Sequence, residues 1–189
     1  MAIIAITPSL EDLISAANGG DQAAWGAIVD RFAGLVWSTA RAYRLAQSDA
    51  ADVAQTTWLR LIENLDRIND PERLGAWLAT TTRRECLRHI RVQRREVLTD
   101  EDTLFEAPSD RRVEQRLINR ERNDALRLAF RRISERCQGL LRILAAPEAP
   151  SYEEISAALD MPIGAIGPTR ARCLEQLRRT PELAGFEIG

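Results

Sequence analysis

Apolar residues recur every three or four positions along most of the chain, which is the spacing of amphipathic α-helices. No stretch of the sequence stands out for the alternation of apolar and polar residues that is typical of strands. Residues that cap helices precede several of these patterns: Ser9 before residues 10–18, Asp21 before a second helix, and Ser48 or Asp49 before a third. The pattern therefore predicts an all-α protein.

Residues 74–95 carry the most distinctive pattern, because six arginines occur there with a single acid, Glu85. On a helix, Leu78 and Cys86 belong to an apolar side, whereas the arginines and Trp77 belong to the opposite side. Such a surface suits nucleic acid, since arginines hold phosphates and an exposed ring stacks on an unpaired base. The alternative is a solvated helix whose Trp77 is buried by a neighbouring element. The arginine side consists of Arg83, Arg84, Arg88, Arg91, Arg94 and Arg95.

Residues 96–110 reverse this charge, because they contain six acids and no basic residue. With a proline and few residues of core type, the segment is predicted to be a linker between two domains. Over the whole chain, 26 basic and 28 acidic residues give a net charge of −2, so the protein is not a polycation. Any role in nucleic-acid binding must therefore rest on local patches.

Beyond residue 150 the sequence predicts two helices with a tight turn between them. Ser151 and Glu154 form the pair of a capping box at the start of the first helix. The turn comprises residues 160–162, and the second helix runs from about Ile163 to Arg178. This is the spacing of a helix-turn-helix, whose second helix enters the major groove of DNA. A purely structural helical hairpin is the alternative.

Cysteine usage and the N-terminus bear on the compartment. Cys86, Cys137 and Cys173 are odd in number and far apart, which indicates a reducing compartment rather than a disulfide scaffold. The sequence lacks a signal-peptide pattern and any run of about 18 apolar residues, so we expect a cytoplasmic protein without a membrane span. Cys86 and His89 lie three residues apart, but both point to the apolar side, so neither a metal site, a nucleophile nor a cofactor is expected there.

These elements, in this order, resemble a bacterial RNA polymerase sigma factor of the small two-domain, extracytoplasmic-function type. The stretch DAADVAQTTWLRL resembles the helix that docks on the polymerase clamp, LGAWLATTTRRECLRHIR resembles the −10 helix, and SYEEISAALDMPIGAIGPTRARCLEQLRR resembles the −35 helix-turn-helix. The resemblance implies a promoter-specificity subunit that opens the −10 region and is not an enzyme. It also implies core RNA polymerase, promoter DNA (duplex at −35, the single non-template strand at −10) and an anti-sigma factor as partners.

The resemblance further implies roles for individual residues. Docking on core polymerase is implied for Asp49, Asp52, Val53, Gln55, Thr57, Trp58 and Leu61. Binding of −10 DNA is implied for Asp66, Arg67, Ile68, Asn69, Trp77, Thr80, Thr81, Arg83, Arg84, Arg88 and Arg91. Binding of −35 DNA is implied for Ser151, Ile163, Gly164, Ala165, Gly167, Pro168, Thr169, Arg170 and Arg172.

The implied organisation is two small helical domains joined by the acidic linker. It comprises a short N-terminal helix (residues 1–20), the docking and −10 domain (21–95), the linker (96–112), the −35 domain (113–180) and a tail (181–189). The competing hypothesis is a stand-alone helix-turn-helix regulator, which would bind duplex DNA tightly without polymerase.

Overall fold

A computed structural model describes residues 8–97 and 116–184. These residues form eight α-helices and three single-turn 3-10 helices, with no strand among them, so the prediction of an all-α fold is confirmed. The α-helices are α1 (Leu10–Asn18), α2 (Gln22–Ala42), α3 (Gln47–Asn64), α4 (Leu74–Val97), α5 (Arg116–Arg132), α6 (Glu135–Leu144), α7 (Tyr152–Leu159) and α8 (Ile163–Arg178). The linker predicted at residues 96–112 lies outside the described residues, apart from its first two, which extend α4.

Side-chain caps start three of these helices where the sequence predicts them. Ser9 forms a capping box with Asp12 at the start of α1, and the Asp21 carboxylate accepts from two backbone N–H groups of α2. Ser151 forms the second capping box, with Glu154. The start of α3 differs from the prediction, because the helix already begins at Gln47 and has no side-chain cap.

Residues 116–144 form two helices, although apolar residues recur at helical spacing throughout this stretch of the sequence. Ile133 is buried, and Ser134 adopts a non-helical conformation in which its hydroxyl accepts from the backbone N–H of Cys137. Ser134 therefore starts α6 as a separate helix. The sequence shows only continuous helical spacing at this point, which is why the break was not predicted.

The core is continuous between the two halves of the described chain. We call α1–α4 the first unit and α5–α8 the second unit. Ile28 and Leu78 of the first unit and Leu140 and Ile155 of the second are fully buried members of one hydrophobic cluster. Packing of α7 on α4 and of α6 on α2 forms the interface between the units. The second unit therefore lies directly against the helix that carries the arginines.

The cysteines do not all follow the prediction. Cys137 on α6 and Cys173 on α8 form a disulfide with a Cα–Cα distance of 5.2 Å, whereas Cys86 is a buried free thiol. The expectation of unpaired cysteines is wrong for this pair, because the packing of α6 against α8 brings together residues that are 36 positions apart. Within the described residues no helix is long and apolar enough to cross a membrane.

Candidate functional site

The outer side of α4 presents a cluster of arginines. We call Arg83, Arg84, Arg88 and Arg91 the arginine surface. Arg84, Arg88 and Arg91 are exposed, and Arg88 makes only a loose pair, at 3.5 Å, with Glu85 of its own helix. Guanidinium groups held in this way remain available to phosphates. The side chains of residues 94 and 95, which the sequence assigns to the same side, lie outside the described structure.

The opposite side of α4 is buried as predicted. Leu74, Leu78 and Cys86 are fully buried, and the Thr82 hydroxyl donates to the Leu78 carbonyl at 2.8 Å. Burial raises the pKa of the Cys86 thiol to about 12, so the thiol stays protonated near neutral pH and is a poor nucleophile. This side fixes the rotation of α4 and thereby points the arginine surface outward.

Trp77 is less exposed than the sequence predicts. Its side chain is half-buried and packs against the main core cluster, although its helical position lies beside Arg84 and Arg88. Thr80 and Thr81 are half-buried as well. Part of the Trp77 ring therefore contributes to the packing of the core, and only the rest of its surface is open to a base.

The segment before α4 offers polar groups. Asp66, Arg67 and Asn69 are exposed, whereas Ile68 packs against the core and anchors the segment. Asp70 accepts from the backbone N–H of Glu72 at 3.2 Å and so caps the short turn that leads into α4. The three exposed side chains are therefore held at the start of the helix that carries the arginine surface.

The residues implied in polymerase docking divide into two groups. Asp52 and Gln55 are exposed on α3, but Val53, Thr57 and Leu61 are buried. These three cannot touch a partner in this arrangement, because they lie on the side of α3 that packs against the rest of the first unit. Their role in docking stays a prediction, and their burial does not favour it.

Asp49 is half-buried and turned towards α4. Its carboxylate lies 3.4 Å from His89 Nε2 and accepts from Gln93 Nε2 at 2.9 Å. Asp49 therefore ties the start of α3 to α4. His89 takes part in this contact, and no cluster of His, Cys, Asp and Glu in the described part of the chain could hold a metal ion.

An apolar groove between α2 and α3 was not predicted. It has a volume of about 500 Å³ and is lined by Trp25, Trp37 and Trp58 together with Leu59 and Ile62, and we call it the tryptophan groove. Leu59 and Ile62 are 53% and 57% exposed. The apolar spacing along α3 predicts that Ile62 lies on the buried side of the helix, and it predicts no contact for Leu59. An exposed apolar surface of this kind is typical of a protein-binding site.

The outward side of α8 is only partly as predicted. Ile163, Gly164 and Pro168 are exposed, and Ala165 and Gly167 are half-buried. Arg170, Arg172 and Ser151 are exposed too, although the Ser151 hydroxyl is occupied as a cap.

Thr169 is the exception on this side of α8. It is buried, and its hydroxyl accepts from Arg172 at 3.3 Å, so the prediction that Thr169 faces outward is wrong. Pro168 lies inside α8, which is continuous from Ile163 to Arg178. The threonine helps to position Arg172.

Polar contacts join the two units next to the arginine surface. Arg83 Nη1 lies 2.8 Å from the Asp160 carboxylate, and the Tyr43 hydroxyl donates to the Ala158 carbonyl at 2.8 Å. Burial raises the pKa of Tyr43 to about 12, against the opposing charge of Arg83. Arg44 pairs with Glu135 farther along the same interface.

Known proteins share parts of this sequence and this fold. Residues 28–96, which span α4 and most of the first unit, match the Sigma-70 region 2 family model. CnrH, in a complex with the cytosolic domain of CnrY, has 21% sequence identity and a TM-score of 0.54 over 87% of this chain and 92% of that chain. The sigma factor RpoE of Bartonella quintana, in a complex with the anti-sigma factor NepR, has 20% identity and a TM-score of 0.60 over 82% and 94%. No curated protein matches the chain.

The fold is therefore that of an all-α protein similar in structure to a sigma factor over most of the chain. The family match itself covers residues 28–96, about a third of the chain. The resemblance of the sequence to a sigma factor is supported in region 2 by the family model and over most of the chain by the fold.

Proposed function

We propose that this chain acts as a sigma factor, which directs core RNA polymerase to specific promoters, opens the −10 region and reads the −35 element. The first unit would dock on the polymerase and engage the −10 strand, and the second unit would contact −35 duplex DNA. The protein would act by binding energy alone, without turnover. The proposed docking and −10 domain is residues 21–95, and the proposed −35 domain is residues 113–180.

The observation that carries this proposal is the pair of surfaces on α3 and α4. The tryptophan groove is apolar and suits a protein partner, whereas the arginine surface suits phosphates. The hydroxyl oxygens of Thr57 and Thr82 lie 3.4 Å apart where the two helices pack. The contact of Asp49 with Gln93 of α4 is a second link between these helices. Because α3 and α4 are fixed to each other, a polymerase bound at α3 would hold the arginine surface at a constant position over the DNA.

Docking would use exposed residues of α3 and the half-buried Trp58, a set that differs in part from the one that the resemblance implies. We propose that Asp52, Gln55 and Trp58 act together with Leu59 and Ile62. The two aliphatic side chains would leave water on docking, which stabilises the complex by about 25 cal/mol per Å² of apolar surface buried. The Asp52 carboxylate and the Gln55 amide beside them would orient the partner and make docking specific.

Opening would follow from binding unpaired bases in preference to paired ones. Arg84, Arg88 and Arg91 would hold the backbone of the non-template strand, and the open part of the Trp77 ring would stack on a base. Residues 66–69 would hold a second base outside the stack. Unstacking costs a few kcal/mol per step, and capture of the released bases would offset that cost.

Recognition of the −35 element would rest on few side chains. Among the residues of α8 proposed to contact −35 DNA, Arg170 and Arg172 are the exposed hydrogen-bond donors, and Ile163, Gly164 and Pro168 are the other exposed members. Much of the affinity would therefore come from the backbone, phosphates and DNA shape.

The proposed partners are core RNA polymerase, promoter DNA and an anti-sigma factor. The last is supported by the compared RpoE structure, which holds the anti-sigma factor NepR. The exposed aliphatic side chains of the tryptophan groove offer such a protein an apolar site.

The deciding experiment is a gel-shift titration of the full chain on duplex promoter fragments, with and without core polymerase, at fixed salt because phosphate binding is steeply salt-dependent. We expect weak binding by the chain alone and tight, sequence-specific binding with core. Run-off transcription on a genomic promoter library would then identify the promoters. Tight, specific duplex binding by the chain alone would instead favour the stand-alone regulator.

A further inference from the structure

The first two turns of α8 contain three residues that are unfavourable in a helix. Gly164 and Gly167 lie there together with Pro168, which is inside the helix rather than at its start. Glycine and proline are the two least favourable residues of a helix interior, because glycine loses the most backbone freedom and proline cannot donate a hydrogen bond. The helix nevertheless runs from Ile163 to Arg178 without a break. The three residues therefore need a reason other than helix formation.

Packing within the protein explains other helical glycines but not these two. A Cβ atom built on Gly75 would collide with the Glu154 carboxylate, and one built on Gly139 would press on the backbone of α2. A Cβ atom on Gly164 or Gly167 would meet nothing within 4 Å among the described residues beyond its own stretch of helix. An unfavourable residue without a gain in packing is typical of a functional site, where glycine lets the backbone approach a ligand closely.

Pro168 removes one hydrogen bond from this part of α8. In an α-helix each carbonyl accepts from the N–H four residues later, which pairs the Gly164 carbonyl with position 168. Proline has no N–H, and its ring presses against the carbonyl four residues before it. The Gly164 carbonyl oxygen is therefore left without its helical donor.

This carbonyl lies on the exposed side of α8. Gly164, Pro168 and Arg172 follow each other at intervals of four residues, so they form one line along the helix, and all three are exposed. The opposite side of the helix contains Ile166 and Cys173, which are fully buried. A hydrogen-bond acceptor and the Arg172 donor therefore lie on the same outward line.

Acceptors and donors read different bases in the major groove. Arginine has only donors and suits guanine, whereas an acceptor suits the amino groups of adenine and cytosine. The side chains proposed to contact −35 DNA include no carboxylate and no amide. The Ser151 hydroxyl caps α7, and the Thr169 hydroxyl is buried and accepts from Arg172. Reading an amino group with α8 therefore requires a backbone acceptor.

We propose that the Gly164 carbonyl reads the amino group of an adenine or a cytosine in the major groove of the −35 element, and that Pro168 keeps this carbonyl available. This inference rests on the proposed function and adds to it the kind of base that is read. The missing side chains at positions 164 and 167 let the base edge come close to the backbone. Pro168 is a positioning residue, because it acts through the carbonyl.

The test is selection of duplex DNA, randomised across the −35 element, by the holoenzyme of core RNA polymerase and the full chain. Wild type should favour adenine or cytosine over guanine and thymine on one strand at one position, by about two- to tenfold, as expected for one hydrogen bond. Pro168→Ala supplies an N–H that pairs with the Gly164 carbonyl inside the helix. It should abolish this preference, leave the other positions unchanged and raise the urea midpoint of unfolding.

Two further variants separate the carbonyl from the proline ring. Pro168→Val also restores the N–H but keeps an apolar side chain of similar size, so it should behave as Pro168→Ala. Pro162→Ala is the matched control, because Pro162 is an exposed proline that precedes α8 and leaves the Gly164 carbonyl unaffected. It should select the same bases as wild type.

A change in the DNA tests the same contact from the other side. The preferred adenine is replaced by purine, or the preferred cytosine by 2-pyrimidinone, each of which keeps the ring but lacks the amino group. The wild-type holoenzyme should lose about two- to tenfold in affinity. The Pro168→Ala holoenzyme should lose nothing further, and it also accounts for any weakening of the base pair itself.

The proposal is overturned if Pro168→Ala and Pro168→Val keep the wild-type preference at every position, or if the amino-free base costs both holoenzymes equally. Recovery of the preference by Pro168→Val alone would also overturn it, because an apolar contact of the ring would then be responsible. A wild-type holoenzyme that selects no base anywhere in the −35 element would mean that the second unit does not read it. That result is a failure of the proposed function itself and is thus distinguished from the others.

Discussion

The surfaces proposed to contact DNA in the two units have opposite compositions. The outer side of α4 carries four arginines among its described side chains, whereas the outer side of α8 carries Arg170 and Arg172 among glycine, alanine and proline. A charge-rich helix binds any strand and gains selectivity by requiring unpaired bases. A helix with few donors depends on the accurate position of each one. Under the proposed function, the first unit would supply most of the DNA-binding energy and the second would set the register of the protein on the promoter.

The DNA-facing helix of each unit is also fixed within its own unit by a different kind of contact. The inner side of α4 is aliphatic and contains the free, fully buried Cys86. In the second unit, Cys137 and Cys173 link α6 to α8 covalently. The helix with fewer donors is thus the one fixed by a disulfide, which agrees with its need for accurate placement. The predictions below test this contrast, starting with the largest expected effect.

Loss of the disulfide should be the most damaging change to the second unit. A cross-link that closes a loop of 36 residues reduces the entropy of the unfolded chain. Replacing both Cys137 and Cys173 by serine should therefore lower the free energy of unfolding by about 3–4 kcal/mol. Urea titration followed by circular dichroism measures the change. Reductant should not destabilise the double variant further, and an unchanged midpoint in the double variant would show that the bond contributes nothing.

Polymerase docking should depend on the tryptophan groove of the first unit and not on exposed leucines of the second unit. Leu59→Asp combined with Ile62→Asp places charges in the tryptophan groove and should weaken binding to core polymerase about 50-fold or more. The matched control is Leu126→Asp with Leu128→Asp on α5, where the leucines are 44% and 53% exposed. Affinity is measured by fluorescence anisotropy of labelled protein. An equal loss of affinity for core polymerase in the two double variants would show that the tryptophan groove is not part of the docking surface.

Much of the fold can be predicted from the sequence because its signals are local. The capping pair Ser151 and Glu154, and the bounds of α8, depend on residues within one or two helical turns, and the structure agrees with both. The apolar side of α4 also agrees, since its periodicity is regular and its opposite side is strongly charged.

The errors concern residues whose environment is set by distant elements. Thr169 and Ile62 occupy helical positions where spacing alone is ambiguous, and the neighbouring helices bury the first and leave the second exposed. The disulfide and the contact between Arg83 and Asp160 join residues far apart in sequence. Spacing along one helix carries no information on such contacts. The resemblance to sigma factors supplied the functional roles, but it did not show which members of the docking motif are buried.

Arg172 should determine specificity in the second unit. It is exposed on α8, and its contact with the buried Thr169 restricts its direction. If it reads a guanine, Arg172→Ala should cost about 1–3 kcal/mol at one base pair of the −35 element and relax the preference there. Binding of the polymerase holoenzyme to a set of single-base −35 variants measures this. Arg170→Ala is the neighbouring control, and an equal loss on every −35 sequence would identify a phosphate contact instead.

The smallest expected effect is a loss of stability at alkaline pH that originates in the first unit. Cys86 and Tyr43, whose pKa values are raised to about 12, both belong to that unit, whereas the cysteines of the second unit are bonded and do not titrate. Burial raises the pKa of Cys86 from 9.0 and that of Tyr43 from 10.0, each to about 12. In this range the folded chain binds more protons than the unfolded chain, so stability is complete below about pH 9 and falls as the pH rises towards 12.

The free energy of unfolding should therefore decrease by about 1–2 kcal/mol between about pH 8 and pH 10, most of it from Cys86. Urea titrations across this range give the slope. Cys86→Ala should lower stability at every pH because it leaves a cavity, but its stability should depend less steeply on pH. Tyr43→Phe should reduce the slope by a smaller amount, because the tyrosine begins to ionise at a higher pH in the unfolded chain. A Cys86→Ala protein with the wild-type slope would mean that alkaline destabilisation starts elsewhere, and the contrast between a titratable first unit and a cross-linked second unit would no longer hold.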